Sequence, residues 1–164
     1  MAAPTAVRQA VVDKLRTLLS AIVSPTYLFN VGPTRVHMKE VINATTACPA
    51  LMVVQRTEAI QWASVGRHLE RTLAVQVGFL AEYNGPDPDE TAVAFMAEIE
   101  RAVGFQHFIT VTDYDTGLVT AQHPIAFYVR GNAINVGEPL EGRVYGQIDY
   151  EVQYFTSVLD PRKL

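Results

Sequence analysis

Four residues of one stretch, His107, Asp113, Asp115 and His123, are of the types that bind divalent metal ions. Imidazole nitrogens and carboxylate oxygens coordinate a metal when fixed elements bring them together. None of the spacings here matches a known metal motif. Asp113 and Asp115 stand where a turn favours acids, because their side chains accept hydrogen bonds from nearby backbone donors. We therefore predict no metal site, with Asp113 and Asp115 as turn formers.

Two further pairs have residue types suited to catalysis. Ser64 and His68 are four residues apart and would face each other on a helix, but the glycine pattern of a nucleophile elbow is missing. Glu98 and Glu100 are two residues apart on a predicted helix, so their side chains point in different directions and cannot pair as acid and base. We predict that these glutamates are solvated and that the protein is not an enzyme.

Cofactor and nucleic-acid signals are also missing from the sequence. The ten glycines are spread singly and match neither a phosphate-binding loop nor a dinucleotide-binding motif. The formal charge is −4 and the basic residues are scattered, so no concentrated basic face is available for a phosphate backbone. We predict no cofactor and no specific binding of nucleic acid.

Cys48 is the single cysteine, which excludes a disulfide framework within the chain. It is predicted to be a small buried hydrophobic residue in a reducing cytoplasm. The apolar stretch 11–23 is interrupted by Asp13, Lys14 and Arg16, so it does not read as a signal peptide. Because no run approaches the roughly 20 apolar residues of a membrane span, we expect a soluble protein.

Length and hydrophobic content favour one compact domain, residues 1–164. The chain has 164 residues, of which 49% are hydrophobic and 18% charged, enough to bury a core. Apolar stripes at helical spacing predict two amphipathic helices, 7–22 and 90–103, the second with its stripe at Val93, Met96, Ile99 and Val103 and with Asp87 or Asp89 as its N-cap. Strands are predicted at 27–31, 50–55, 68–83, 107–112 and 144–158, with a hairpin over 125–136 that turns at Gly131-Asn132 and with 57–66 as a loop or partly helical turn. The predicted fold is α+β, a mainly antiparallel sheet with both amphipathic helices packed on one face.

The last predicted strand, 144–158, has the clearest pattern in the chain. Alternate residues are mostly apolar and mark one face: Val144, Ile148, Tyr150, Val152 and Tyr154. The other face is polar except for two aromatic rings, Tyr145 and Phe155. Rings on a polar face are costly to leave in water, so we predict that Tyr145 and Phe155 lie at a subunit interface, with partial cover by loops of the same chain as the alternative. We also expect this long strand to offer a sheet edge for assembly, and the loops 113–124 and 131–142 to carry assembly contacts.

The order and size of these elements resemble the tail terminator (tail completion) proteins of long-tailed bacteriophages. The resemblance covers nearly the whole chain and rests on arrangement. Its parts are the helix 7–22, Tyr27-Leu28-Phe29, the Pro49–Val54 strand, the strand 71–83, the helix 90–103, the strand 146–154 and the exit at Asp160-Pro161. The region 113–142 is longer than a plain terminator core needs.

This resemblance implies a structural virion protein without catalytic residues. It implies a homo-oligomer, a hexameric ring that caps the phage tail tube, ends tail elongation and joins the tail to the neck. The implied partners are the tail tube protein and a neck or connector protein, with DNA passing through the ring without specific binding. The implied location is the virion, after assembly in the host cytoplasm. The alternatives are another neck or head–tail connector protein, and a small-ligand-binding or enzymatic α+β domain.

Overall fold

The protein is represented by a computed structural model that describes residues 7–38, 46–63, 68–83, 85, 87–110 and 125–157. Its helices are α1, Val7–Ser20, and α2, Pro88–Val103, with a short 3-10 turn at Pro33–Arg35. Its strands are β1, Val36–His37; β2, Ala50–Trp62; β3, His68–Glu82; β4, Gln106–Ile109; β5, Ile125–Val136; and β6, Arg143–Ser157. Within these ranges the strands form a single sheet in the order β1-β2-β3-β6-β5-β4. All strand pairs are antiparallel except β1–β2, which confirms the predicted α+β class.

The core lies on one face of this sheet. Alternate residues of the two central strands are buried there: Leu73, Val75, Val77, Phe79 and Ala81 of β3, and Val144, Ile148, Tyr150, Val152 and Tyr154 of β6. They form one cluster with the apolar stripes of both helices, so both helices pack on this face as predicted. We call the opposite side of the sheet the open face. It is lined by Glu70, Thr72, Gln76 and Gly78 of β3, by the odd-numbered residues 145–155 of β6, and by neighbours on β2, β4 and β5.

The stripe predicted for α2 is partly wrong. Val93 is exposed, whereas Ala92 and Phe95 are buried together with Met96, Ile99 and Val103. Phe95 claims the core position because its ring stacks on Phe29 at a centroid distance of 4.2 Å and meets Phe79 edge-on at 5.5 Å. The cap prediction is confirmed, since the carboxylate of Asp87 accepts a hydrogen bond from the backbone N–H of Asp89 at 2.9 Å.

Three of the predicted strand and turn assignments are wrong. The segment 27–31 is a loop against α2, not a strand. β2 continues through the predicted loop to Trp62, because a β-bulge between Gln55 and Glu58 restores pairing with β3. The predicted turn at Gly131-Asn132 is instead a bulge within β5, which pairs with the long β6 from Phe127 to Val136. The second loop expected to carry assembly contacts, 131–142, is therefore half strand.

The expectation that the final strand offers a sheet edge is also wrong. β6 lies between β3 and β5 and is paired on both sides, over its whole length with β3. The outer strands of the described sheet are β1 and β4, with 2 and 4 residues. β1 pairs only with Leu51 and Met52 of β2, and β4 only with residues 125–128 of β5, so the outer sides of the remaining β2 and β5 residues have no strand partner within the described ranges. Any assembly contact made by β6 therefore uses its face.

Candidate functional site

The open face has polar side chains along its central strands that bond to one another. The Gln76 amide donates to the Asp149 carboxylate at 3.0 Å, and the Arg56 guanidinium donates to the Gln76 carbonyl at 2.6 Å. Farther along, the Gln153 amide donates to the Glu70 carboxylate at 2.5 Å. Because these polar groups already bond to one another, a partner molecule that covered the face would leave few of them without a hydrogen bond.

Aromatic rings stand among these polar groups. Tyr145 and Phe155 both lie on the open face as the alternation indicated, Tyr145 exposed and Phe155 half-buried. They are ten residues apart on one strand, about 33 Å. Two more exposed rings were missed from sequence. Phe105 meets the ring of Tyr128 at a centroid distance of 5.8 Å, and Phe108 lies on the short strand β4, too short to show alternation.

A cavity of about 550 Å³ opens on this face beside Tyr145. Its apolar walls come from Met52, Leu80 and Leu140, and the Tyr145 ring packs so closely on Gly137 that a side chain there would overlap it. The cavity lies at the end of the sheet where β2 begins and β3 ends. We call it the open-face cavity.

The opposite end of the sheet carries exposed apolar side chains. Ile60 and Trp62 are 52% and 70% exposed near the end of β2. Their register partners are Arg71 and Leu69. Arg71 donates a hydrogen bond to Thr156, which is buried on the core side of β6. The side of the β2–β3 pair that carries Ile60 and Trp62 is therefore a continuation of the core face beyond the helices. We call residues 59–63 and 68–70 the hairpin end.

A polar network lies at the base of the hairpin end. Arg71 pairs with Glu58 at 3.0 Å and donates to the Thr156 hydroxyl at 2.8 Å. The Tyr154 hydroxyl donates to the other Glu58 oxygen, and Arg8 of α1 approaches Glu58 to 3.8 Å. Burial and then the Glu58 carboxylate raise the pKa of the Tyr154 phenol, so it stays protonated and donates. The network joins α1, β2, β3 and β6 at this point.

Glu98 has a structural role that the sequence reading missed. It was predicted to be solvated, which is wrong, because it is buried. Its carboxylate accepts the backbone N–H groups of Leu28 and Phe29 at 2.5 and 3.1 Å. The neighbouring Arg101 guanidinium lies 5.1 Å from the Tyr27 ring centroid. Glu98 therefore fixes the 27–29 loop to α2.

Replacing Glu98 with glutamine is expected to lower the free energy of unfolding by about 1.5–3 kcal/mol, because two hydrogen bonds to a charged acceptor are weakened. Urea unfolding followed by circular dichroism measures the change. Glu100→Gln is the matched control, since Glu100 is exposed on the same helix and should change stability by less than about 0.5 kcal/mol. Equal effects for the two variants would contradict the role given to Glu98.

The residues first considered for metal binding and catalysis do not form a described site. Asp113, Asp115, His123 and Ser64 lie outside the described residues, so the turn-former prediction remains a prediction. A ring nitrogen of His107 contacts the Val103 carbonyl. Among the described residues, no group of three or more His, Cys, Asp or Glu side chains is arranged to hold a metal ion. Cys48 is a half-buried free thiol, and burial raises its pKa.

No protein-family model matches the chain, and a search of curated proteins finds no significant match. Neither helix in the described ranges has both the length and the apolar character needed to cross a bilayer. The open face with its aromatic rings and cavity, together with the hairpin end, is the candidate functional surface.

Proposed function

We propose that this protein is a tail terminator of a long-tailed bacteriophage, a structural subunit that assembles into a ring on the end of the tail tube. The observation that carries the proposal is the open face. Both helices of the described ranges pack on one side of the sheet, and the other side has the two 15-residue central strands with Tyr145 and Phe155 on them. Exposed rings on an internally bonded polar face favour contact with another protein over catalysis.

The proposed partners follow from this role. Copies of the chain form a homohexamer, one side of the ring meets the tail tube protein and the other a neck or connector protein. The formal charge of −4 suits a ring through which DNA passes without binding. The proposed site of action is the virion, with assembly in the host cytoplasm. Another neck or head–tail connector protein would use the same kind of surface.

The competing class is a small-ligand-binding domain, which the open-face cavity favours. The two proposals differ in the size of the particle in solution. We expect light scattering on the purified protein to give a mass about six times the 18.1 kDa of one chain, and negative-stain images to show rings. A protein that stays monomeric at every accessible concentration, alone and with purified tail tubes, would overturn the ring proposal and favour the ligand-binding class.

A further inference from the structure

We propose that the hairpin end of one copy inserts Trp62 into the open-face cavity of a second copy. The proposal rests on the ring assembly proposed above and names the contact that builds it. Trp62 is the single tryptophan of the chain and is 70% exposed in one subunit. Trp is strongly enriched among residues that dominate binding energy at protein interfaces.

The placement of the two features requires a second chain. Met52 and Leu80 line the cavity at one end of the β2–β3 pair, and Trp62 lies at the other end. Ten residues of β2 separate Met52 from Trp62, about 33 Å. The cavity opens on the open face, whereas Trp62 follows the core face. A chain therefore cannot place its own Trp62 in its own cavity.

The cavity has a size and lining that suit an indole ring. Its volume of about 550 Å³ is in the range of about 300–1,000 Å³ that encloses compact ligands. Its walls at Met52, Leu80, Leu140 and Tyr145 are apolar or aromatic. A side chain at Gly78 would overlap the Met52 methyl group, so Met52 packs directly over Gly78 in the cavity wall. A tryptophan buries about 150–250 Å² of surface, most of it apolar, so the match is chemical as well as steric.

The open face around the cavity supplies the remaining contact area. Strands of 12 to 15 residues, at about 3.3 Å per residue and about 4.8 Å between strands, give the four longest strands a face of about 900 Å². A stable interface needs about 800 Å² from each partner. The open face is therefore large enough to receive a second copy that lies along it with more than its hairpin end, with Trp62 as the anchor.

The contact is head-to-tail, because the inserted part and the receiving part are different surfaces of the same chain. Each copy then offers an unused hairpin end on one side and an unused cavity on the other. Repeated head-to-tail contacts form a ring when their rotation closes, as the proposed hexamer requires, and an open filament when it does not. The Trp62 contact therefore accounts for a ring without requiring a sheet edge.

The fluorescence of the single tryptophan tests the proposal on the full chain. As concentration rises, Trp62 emission should shift to shorter wavelength and become protected from acrylamide quenching, over the same range in which light scattering reports assembly. Leu140→Asp, which places a charge in the cavity wall, should weaken assembly at least about 30-fold and keep Trp62 quenchable. Val93→Asp is the matched control, because Val93 is a similarly exposed apolar residue on α2 outside the cavity, and assembly should be unchanged.

Three results would overturn the inference, and they separate it from the ring proposal. Rings that form while Trp62 stays quenchable would refute the contact and leave the ring proposal standing. Trp62 protected already in the monomer would show that its own chain covers it. A wild-type protein that remains monomeric at every accessible concentration, alone and with purified tail tubes, and keeps Trp62 quenchable would refute both proposals.

Discussion

Replacing Arg71 with methionine is expected to lower the free energy of unfolding by about 3–5 kcal/mol. The Arg71 and Glu58 side chains are only 13% and 11% exposed, and their charged groups lie 3.0 Å apart. Methionine keeps much of the volume of arginine but leaves the Glu58 carboxylate with the Tyr154 hydroxyl and the more distant Arg8. A buried charge that loses its closest charged partner costs more than the ion pair itself contributes to stability.

Chemical denaturation of the purified variant measures this effect, and two further variants make it specific. Adding Glu58→Gln to Arg71→Met removes the Glu58 charge that has lost its Arg71 partner. The double variant should therefore recover part of the lost free energy of unfolding. Glu82→Gln breaks the exposed pair with Arg143, whose closest atoms are 3.9 Å apart, and should cost less than about 1 kcal/mol. A double variant less stable than Arg71→Met alone would show that Glu58 is not the reason for the loss.

Replacing Phe155 with aspartate is expected to prevent assembly while the subunit still folds. Phe155 lies on the open face, so the core residues of β6 are untouched. Losing a buried ring at an interface costs about 2 kcal/mol or more, roughly 30-fold in affinity, and a closed ring repeats that loss at every contact. Tyr145→Asp should act in the same way at the cavity end. Light scattering gives the mass, and circular dichroism reports the fold.

A conservative variant separates the apolar contact from the fold. Phe155→Leu keeps an apolar side chain at the same position and should retain most of the assembly. Glu70 is the register partner of Phe155, so the aspartate variant also brings two like charges together, at a cost of about 0.2–1 kcal/mol to the subunit. If Phe155→Asp still forms rings, Phe155 has no interface role. If the Phe155→Asp variant fails to fold, the Phe155 side chain belongs to the core.

Residue patterns predicted the fold where one face of an element is fully buried. β6 alternates along most of its length and β3 from Leu73 to Val77, because one side packs on the helices, and the bounds of both differ from prediction by a single residue at an end. The loop at 27–31 has the apolar residues of a strand, but those side chains pack on α2 and its backbone bonds Glu98. A pattern of apolar residues does not distinguish a strand buried in a sheet from a loop whose side chains pack on a helix.

The candidate site was harder to predict, because parts of it depend on features that a local residue pattern does not show. Tyr145 and Phe155 could be placed because they interrupt a polar face with a clear period. Trp62 was assigned to a loop, since the bulge between Gln55 and Glu58 shifts the alternation of β2 and hides the strand beyond it. The cavity depends on Tyr145 packing against Gly137, a contact between segments that no local pattern reports.

The central position of β6 also determines when the chain can complete its sheet. β3 and β5 precede β6 in the sequence, yet in the described structure they are joined only through it. A ribosome-bound chain that has not reached residues 143–157 holds two strand groups, β1-β2-β3 and β4-β5, that no strand pairing joins. The chain is synthesised from its N-terminus at about 5–20 residues per second. Because β6 is the last strand to be made, the complete open face forms only after β6 has emerged. Nascent chains still being synthesised therefore lack the surface with which finished subunits would associate.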